Sequence, residues 1–178
     1  MRRIAILLAV MLTAVSLQAT TVIPMSVERL THASTDVVRA RAVESWSAWN
    51  SERTRIFTFT RFSSLRRLKG AVGPTFVVQQ MGGSAGGYTQ RVAGVRPFRP
   101  GEEAVLFLHP SEKGDAMVVT GVMQGDFRVT RRLQGEATAS NGVPDVRTFD
   151  ARTRRVGAYT GSRMPLAELE SRVLRVQR

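Results

Sequence analysis

Five consecutive apolar residues, Ala104 to Leu108, lie between the turn pair Pro100-Gly101, with its polar Glu102-Glu103 entrance, and a closing Pro110. A run this short and unbroken, fenced by turn formers, reads as a strand buried on both faces. A chain that contains such a strand has to wrap others round it. The segment Phe98 to His109 is therefore the expected centre of the fold.

Alternation supplies the wrapping strands. Over Val37 to Trp46, Val38, Ala40 and Ala42 point one way and Arg39 and Arg41 the other, and the small inward alanines imply a tight interior. Trp46 to Arg53, with Asn50-Ser51-Glu52, reads as a hairpin connection. Thr54 to Leu65 is the longest strand candidate. Ile56, Thr58, Thr60 and Phe62 share one face, and Phe57, Phe59 and Arg61 the other. A strand of that length must curve, as small barrels require. Thr75 to Gln80 and Thr89 to Val95 continue the extended pattern. Met117 to Val122 and Phe127 to Arg131 read as a last hairpin turning at Gly125.

The flanks read differently. Ser26 is placed to cap a short helix that would lie as a lid on one end of the barrel. Residues 133–163, rich in glycine and poor in apolar side chains, read as an irregular extension. The alternative is a weak hairpin of Val146, Phe149, Val156 and Tyr159 across Asp150 to Arg155. Pro165 opens a helix within 164–178. Its stripe is Leu166, Leu169, Val173 and Val176, with Glu168 and Glu170 early and Arg172, Arg175 and Arg178 late. The expected fold class is mainly β: a small OB-like barrel over 20–132 with a short N-terminal helix and a C-terminal helix.

Residues 1–19 have the layout of a secretory signal peptide. Arg2-Arg3 is followed by an apolar stretch from Ile4 to Val15, broken only by Thr13, and Ala19 offers a cleavage site. The apolar core is too short for a stable transmembrane span. The expected location is secreted or periplasmic, after cleavage near Ala19.

Three runs together carry a resemblance: Asp36-Val37-Val38-Arg39-Ala40-Arg41-Ala42-Val43, the aromatic strand ending Leu68-Lys69-Gly70, and Gly101-Glu102-Glu103-Ala104-Val105-Leu106-Phe107-Leu108. In this order they resemble a group of secreted bacterial proteins without an assigned activity. More distantly they resemble the netrin-like module and the N-terminal domain of tissue inhibitors of metalloproteinases. The resemblance covers about residues 25–132 and implies an OB-type (netrin-like) barrel. In those inhibitors an N-terminal cysteine meets the protease zinc. This chain has no cysteine, so no inhibitory residue carries over. The glycine loop that begins Pro-Gly-Gly in the bacterial group here begins Met81-Gly82-Gly83.

Catalytic chemistry finds little support. The missing cysteine excludes a thiol nucleophile, a disulfide scaffold and a thiolate metal site. His32 and His109, the only histidines, lie far apart without a nearby second ligand, and no nucleophile elbow is present. Glu102 and Glu103, as neighbours on a strand, face opposite ways. No catalytic, cofactor-binding or metal residue is assigned, no cofactor is expected, and the chain reads as non-enzymatic.

Two constellations remain. Gly82, Gly83, Gly86 and Gly87, with Tyr88 and Arg91, form a candidate loop that is either an anion nest or a barrel corner; no Lys-Ser/Thr follows, which excludes a P-loop. The second is a candidate binding face of Arg39, Arg41, Trp46, Trp49, Arg53, Arg55 and Arg61, with Phe57 or Phe59. Aromatic and basic side chains on an OB barrel suit stacking on bases or sugars, though aromatics on a long strand also build core. The formal charge is +12, and all but two of the 26 basic residues are arginine. That surplus is either a polyanion surface or codon-biased, solvated charge, and its scatter favours the second. The functional expectation is an exported binding module for a secreted or periplasmic protein, a secreted protease among the candidates. The alternative is a binder of nucleic acid or acidic glycan.

Overall fold

In the computed structural model of the protein, residues 21–133, 135–143, 146–150 and 153–177 are described. The leader expected over 1–19 lies outside them. In chain order the elements are β1 (Thr21–Val22), α1 (Val27–Ala33), β2 (Asp36–Trp49), β3 (Ile56–Lys69), β4 (Thr75–Met81), β5 (Gly83–Ala85), β6 (Tyr88–Gln90) and β7 (Glu103–Pro110). There follow β8 (Met117–Val119), β9 (Asp126–Thr130), β10 (Thr138–Ser140), β11 (Arg147–Asp150), β12 (Arg155–Ala158), β13 (Arg163–Pro165) and α2 (Leu166–Val176).

The apolar run forms β7, buried without interruption from Glu103 to Leu108. On one flank β7 pairs antiparallel with β2. From there β2 pairs with β3 and β3 with β4, both antiparallel. β4 then meets β8 in parallel, and β8 pairs with β7. The sheet thus curls into a partly closed ring of five strands, β7-β2-β3-β4-β8. Over its closed part the ring leaves no strand edge of the kind a flat sheet would expose.

Two apolar cores lie on opposite sides of the β7 wall. Inside the ring Val38, Ala40, Ala42, Phe62, Phe76, Phe98, Ala104, Leu106 and Leu108 pack together. The alanines of β2 make room for a ring cluster: Phe62 stacks on Phe76 at 5.6 Å and meets Phe98 edge-on at 4.8 Å. Each such burial contributes about 1.5–3 kcal/mol. Outside the wall Val37, Val105, Phe107 and Phe127 receive Val27 and Leu30 of α1 and Leu166, Leu169 and Val173 of α2.

Three expectations are corrected. First, α1, capped as expected by Ser26 (Arg29 N–H to Ser26 Oγ, 3.2 Å), does not close an end of the barrel. Its apolar residues pack on the outer face of β2 and β7, because Val37, Val105 and Phe107 alternate out of the interior. Second, β8 and β9 are not a hairpin. Both pair with β7 on the same flank, and residues 120–125 loop out opposite Phe107. Phe107 C=O accepts from Thr120 N–H and its own N–H donates to Gly125 C=O, both at 2.9 Å. The excursion lets β8 bend into the ring while β9 leads out to β10 and β13. Third, β2 continues through Trp49, so the connection to β3 begins only at Asn50. Asn50 Oδ1 accepts from the N–H groups of Thr54 (2.8 Å) and Arg55 (3.0 Å), which fixes that turn.

Within 133–163 the hairpin alternative is present: β11 pairs with β12, with Phe149 opposite Val156. β10 and β13 extend the main sheet beyond it.

Candidate functional site

The β2–β3 ribbon carries the site, and a β-bulge decides its composition. Ala42 pairs with Phe62 and Glu44 with Arg61, so Val43 is an extra residue on β2. One extra residue flips every later side chain to the other face. Plain alternation would put Trp49 beside Arg39 and Arg41. With the bulge, the outer face after Ala42 is Glu44, Trp46 and Ala48, and the inner face is Ser45, Ser47 and Trp49.

The outer wall is therefore aromatic. Trp46, opposite Phe59 on β3, stacks on it at 5.8 Å and is 40% exposed. Phe57 tilts against Phe59 at 6.5 Å. Pairing with β4 adds Gln79 beside Phe59 and Met81 beside Phe57, with Met81 43% exposed. The Arg61 guanidinium lies 5.7 Å from the Trp46 ring and ion-pairs with Glu44.

The inner face of the same segment is a hydroxyl ladder. Ser45 meets Thr60 at 3.1 Å, and Ser47 meets Thr58 at 3.0 Å. The glycine loop lies against it as the hairpin β5–β6. Thr58 Oγ1 donates to Gly82 C=O at 2.8 Å. Gly83, at φ +130°, sits where a Cβ would run into the Ser47 and Thr58 hydroxyls. Gly86 and Gly87, at φ +59° and +82°, are the two central residues between Ala85 and Tyr88. That conformation is the tight two-residue hairpin turn for which glycine is selected. Tyr88 meets Trp49 edge-on at 5.7 Å and is 67% exposed. Arg91 is exposed, and no carboxylate among the described residues lies within ion-pair range.

The basic residues of the expected face separate into two groups. Arg39 lies 3.2 Å from Glu170 of α2 and 3.7 Å from Glu103 of β7, and Arg41 lies 3.6 Å from Glu103. Glu103 also takes Arg131 at 2.7 Å, and Glu170 takes Arg66. These charges are met inside the molecule. Arg53 and Arg55, at the ribbon tip, are exposed and pair with no carboxylate among the described residues. The face therefore divides into Trp46, Phe57, Phe59 and Arg61 on the wall, Trp49 on the inner side, Arg53 and Arg55 at the tip, and Arg39 and Arg41 in the ion-pair network.

A second constellation is not legible in the sequence, because Arg128 stands 26 residues from Glu102 and joins it only in the fold. Arg96, Arg99, Glu102 and Arg128 line a depression of about 550 Å³. Arg128 lies 3.5 Å from the Phe98 ring centroid, ion-pairs with Glu102, and donates to Asp126 (2.8 and 2.9 Å) and Arg96 C=O (2.7 Å). Burial pushes the Asp126 carboxyl above its ordinary range, against the pull of Arg128 and Arg96. Each of the three guanidinium nitrogens of Arg128 is engaged, and the arrangement holds the 95–99 segment against β9.

His109 Nδ1 lies 3.3 Å from Thr120 Oγ1, which lies 2.8 Å from Ser34 Oγ, and that hydroxyl donates to Leu30 C=O. The chain of contacts ties α1 to the wall. Among the described residues no group of three His, Cys, Asp or Glu side chains is placed to hold a metal ion, and no helix is long and apolar enough to cross a membrane. No protein-family model matches the chain, and no curated protein matches it at a significant level.

Proposed function

We propose that this chain is an exported binding module that recognises a protein partner through the outer wall of β2, β3 and β4. One observation carries the reading: Trp46, Phe57, Phe59 and Met81 form a continuous, partly exposed apolar strip on a barrel whose other wall is covered by two helices. Exposed contiguous apolar surface with aromatic anchors is the composition of protein-recognition patches. It occupies the barrel face that OB folds use for ligands. A netrin-like ancestry belongs to the same reading and rests on the order of helix, long ribbon and ring. The polyanion alternative has less support, since Arg39 and Arg41, the centre of the expected basic face, are met by Glu103 and Glu170.

The test is capture from the exported proteins of the native host, with wild type and the double variant Trp46→Ser/Phe59→Ser as parallel baits. A protein held by wild type and lost by the variant supports the reading. Identical captures, or none, count against it. Retention on heparin that falls steeply with salt and drops in Arg53→Ala/Arg55→Ala would favour the polyanion alternative.

A further inference from the structure

The distal half of β2 has an open backbone flank. β7 accompanies β2 only from Asp36 to Arg41, and the flank is closed as far as Ala42, whose N–H donates to Glu102 C=O and whose C=O accepts from Gly101 N–H, both at 2.8 Å. β2 runs on to Trp49 paired with β3 alone. The parity of that ladder follows from the turn, where Asn50 N–H bonds Arg55 C=O. Alternation then directs the backbone groups of Ala48, Trp46 and Glu44 toward β3, and those of Trp49, Ser47 and Ser45 toward the open flank. No other strand pairs there among the described residues.

We propose that this flank, Ser45 to Trp49, accepts an extended acidic segment of a partner protein as an added strand. The proposal rests on the protein-partner reading and specifies the form of the partner. Unpaired backbone groups in strand geometry template another strand, and the side chains on either face set specificity. Here one face of an added strand would lie beside Trp46 and the other beside the Trp49–Tyr88 pair. Charge selects the occupant. Arg53 and Arg55 at the end of the flank pair with no carboxylate among the described residues and outnumber Glu52 of the same turn, while Glu44 on the wall already pairs with Arg61. A second copy of the chain would bring the same surplus, +12 overall, to the same edge.

The test uses the full chain and a blocked octapeptide alternating glutamate and valine, with its lysine–valine counterpart as control. The expected result is a change in tryptophan fluorescence on adding the acidic peptide. Hydrogen exchange at the Ser45, Ser47 and Trp49 amides should slow by at least about tenfold. Ser47→Pro removes an N–H that faces the open flank and so keeps the β3 ladder; it should weaken binding at least about tenfold, a loss of about 1.4 kcal/mol. Backbone N-methylation of the peptide at alternate residues should abolish binding to the unaltered protein, which keeps the test decisive if the proline variant folds poorly. No binding of the acidic peptide, equal binding of the basic one, or tolerance of N-methylation overturns the proposal. So does amide protection that appears without peptide as protein concentration rises, which would mean a second copy. Binding that perturbs Trp46 yet leaves the three amides unprotected sinks the added strand and keeps the protein-partner reading. A tryptophan response to heparin alone sinks both.

Discussion

The β2–β3 ribbon is two structures in one pair of strands. Its first half, Asp36 to Ala42 on β2, has β7 on one flank, β3 on the other, the phenylalanine cluster beneath and α1 and α2 above. Its second half, Val43 to Trp49, keeps β3 and the glycine hairpin but has neither an outer cover nor a second flank among the described residues. The residue types differ little: both halves alternate small or apolar side chains with polar ones. What separates them is the company that later segments supply. Burial is thus a property of the partner elements as much as of the strand, and the uncovered half is where recognition is available.

The sharpest way to test that contrast is to truncate one ring in each half. Phe62→Ala removes a fully buried side chain from the ring interior and should cost about 3–5 kcal/mol by chemical denaturation. A loss under about 1 kcal/mol would mean that the covered half is not the structural one.

Next comes the cover itself. Glu170 on α2 is buried between Arg39 and Arg66. Glu170→Ala leaves two guanidinium groups facing apolar surface, and a loss of roughly 1–3 kcal/mol is expected, less than for a fully buried pair because both arginines reach solvent. The same variant should leave the fluorescence of Trp46 in place, since the helix does not reach that end.

A smaller effect is expected from pH at Asp126. The folded carboxyl holds its proton to a higher pH than the unfolded one, because burial outweighs the pull of the arginines. Its contribution is fully present below the unfolded value, near 3.9, and is lost as pH rises through the folded value, at up to about 1.4 kcal/mol per unit. Stability curves of wild type and Asp126→Asn should therefore diverge across that interval. Parallel curves would show that Arg128 dominates instead.

The smallest effect belongs to the open half. Trp46→Ala gives up one stacked cross-strand pair and should change stability by only about 0.5–1 kcal/mol. A loss as large as that of Phe62→Ala would erase the distinction between the halves.

Much of this was legible in the residues. The unbroken run at Ala104 to Leu108, the alternation from Ile56 to Phe62, the Ser26 cap and the stripe of α2 each follow from local pattern, and local pattern was enough. Three features were not. The bulge at Val43 leaves no mark in composition, yet it moves Trp49 from the wall to the interior side. The pairing of Arg39 with Glu170 joins residues from opposite ends of the chain, and nothing near either one announces it. The excursion at residues 120–125 mimics a hairpin turn locally, and only the shared partner, Phe107, reveals that β8 and β9 continue one ladder.

The placement of α2 has a consequence for how the protein matures. Its eleven residues are made after every strand they cover, and until they arrive Val105 and Phe107 lack the part of their covering that α2 supplies. Completion of the outer core thereby waits on the segment that follows β13. A nascent or prematurely stopped product would present a sticky wall to the cell's quality-control machinery, while the finished one hides it at a stroke.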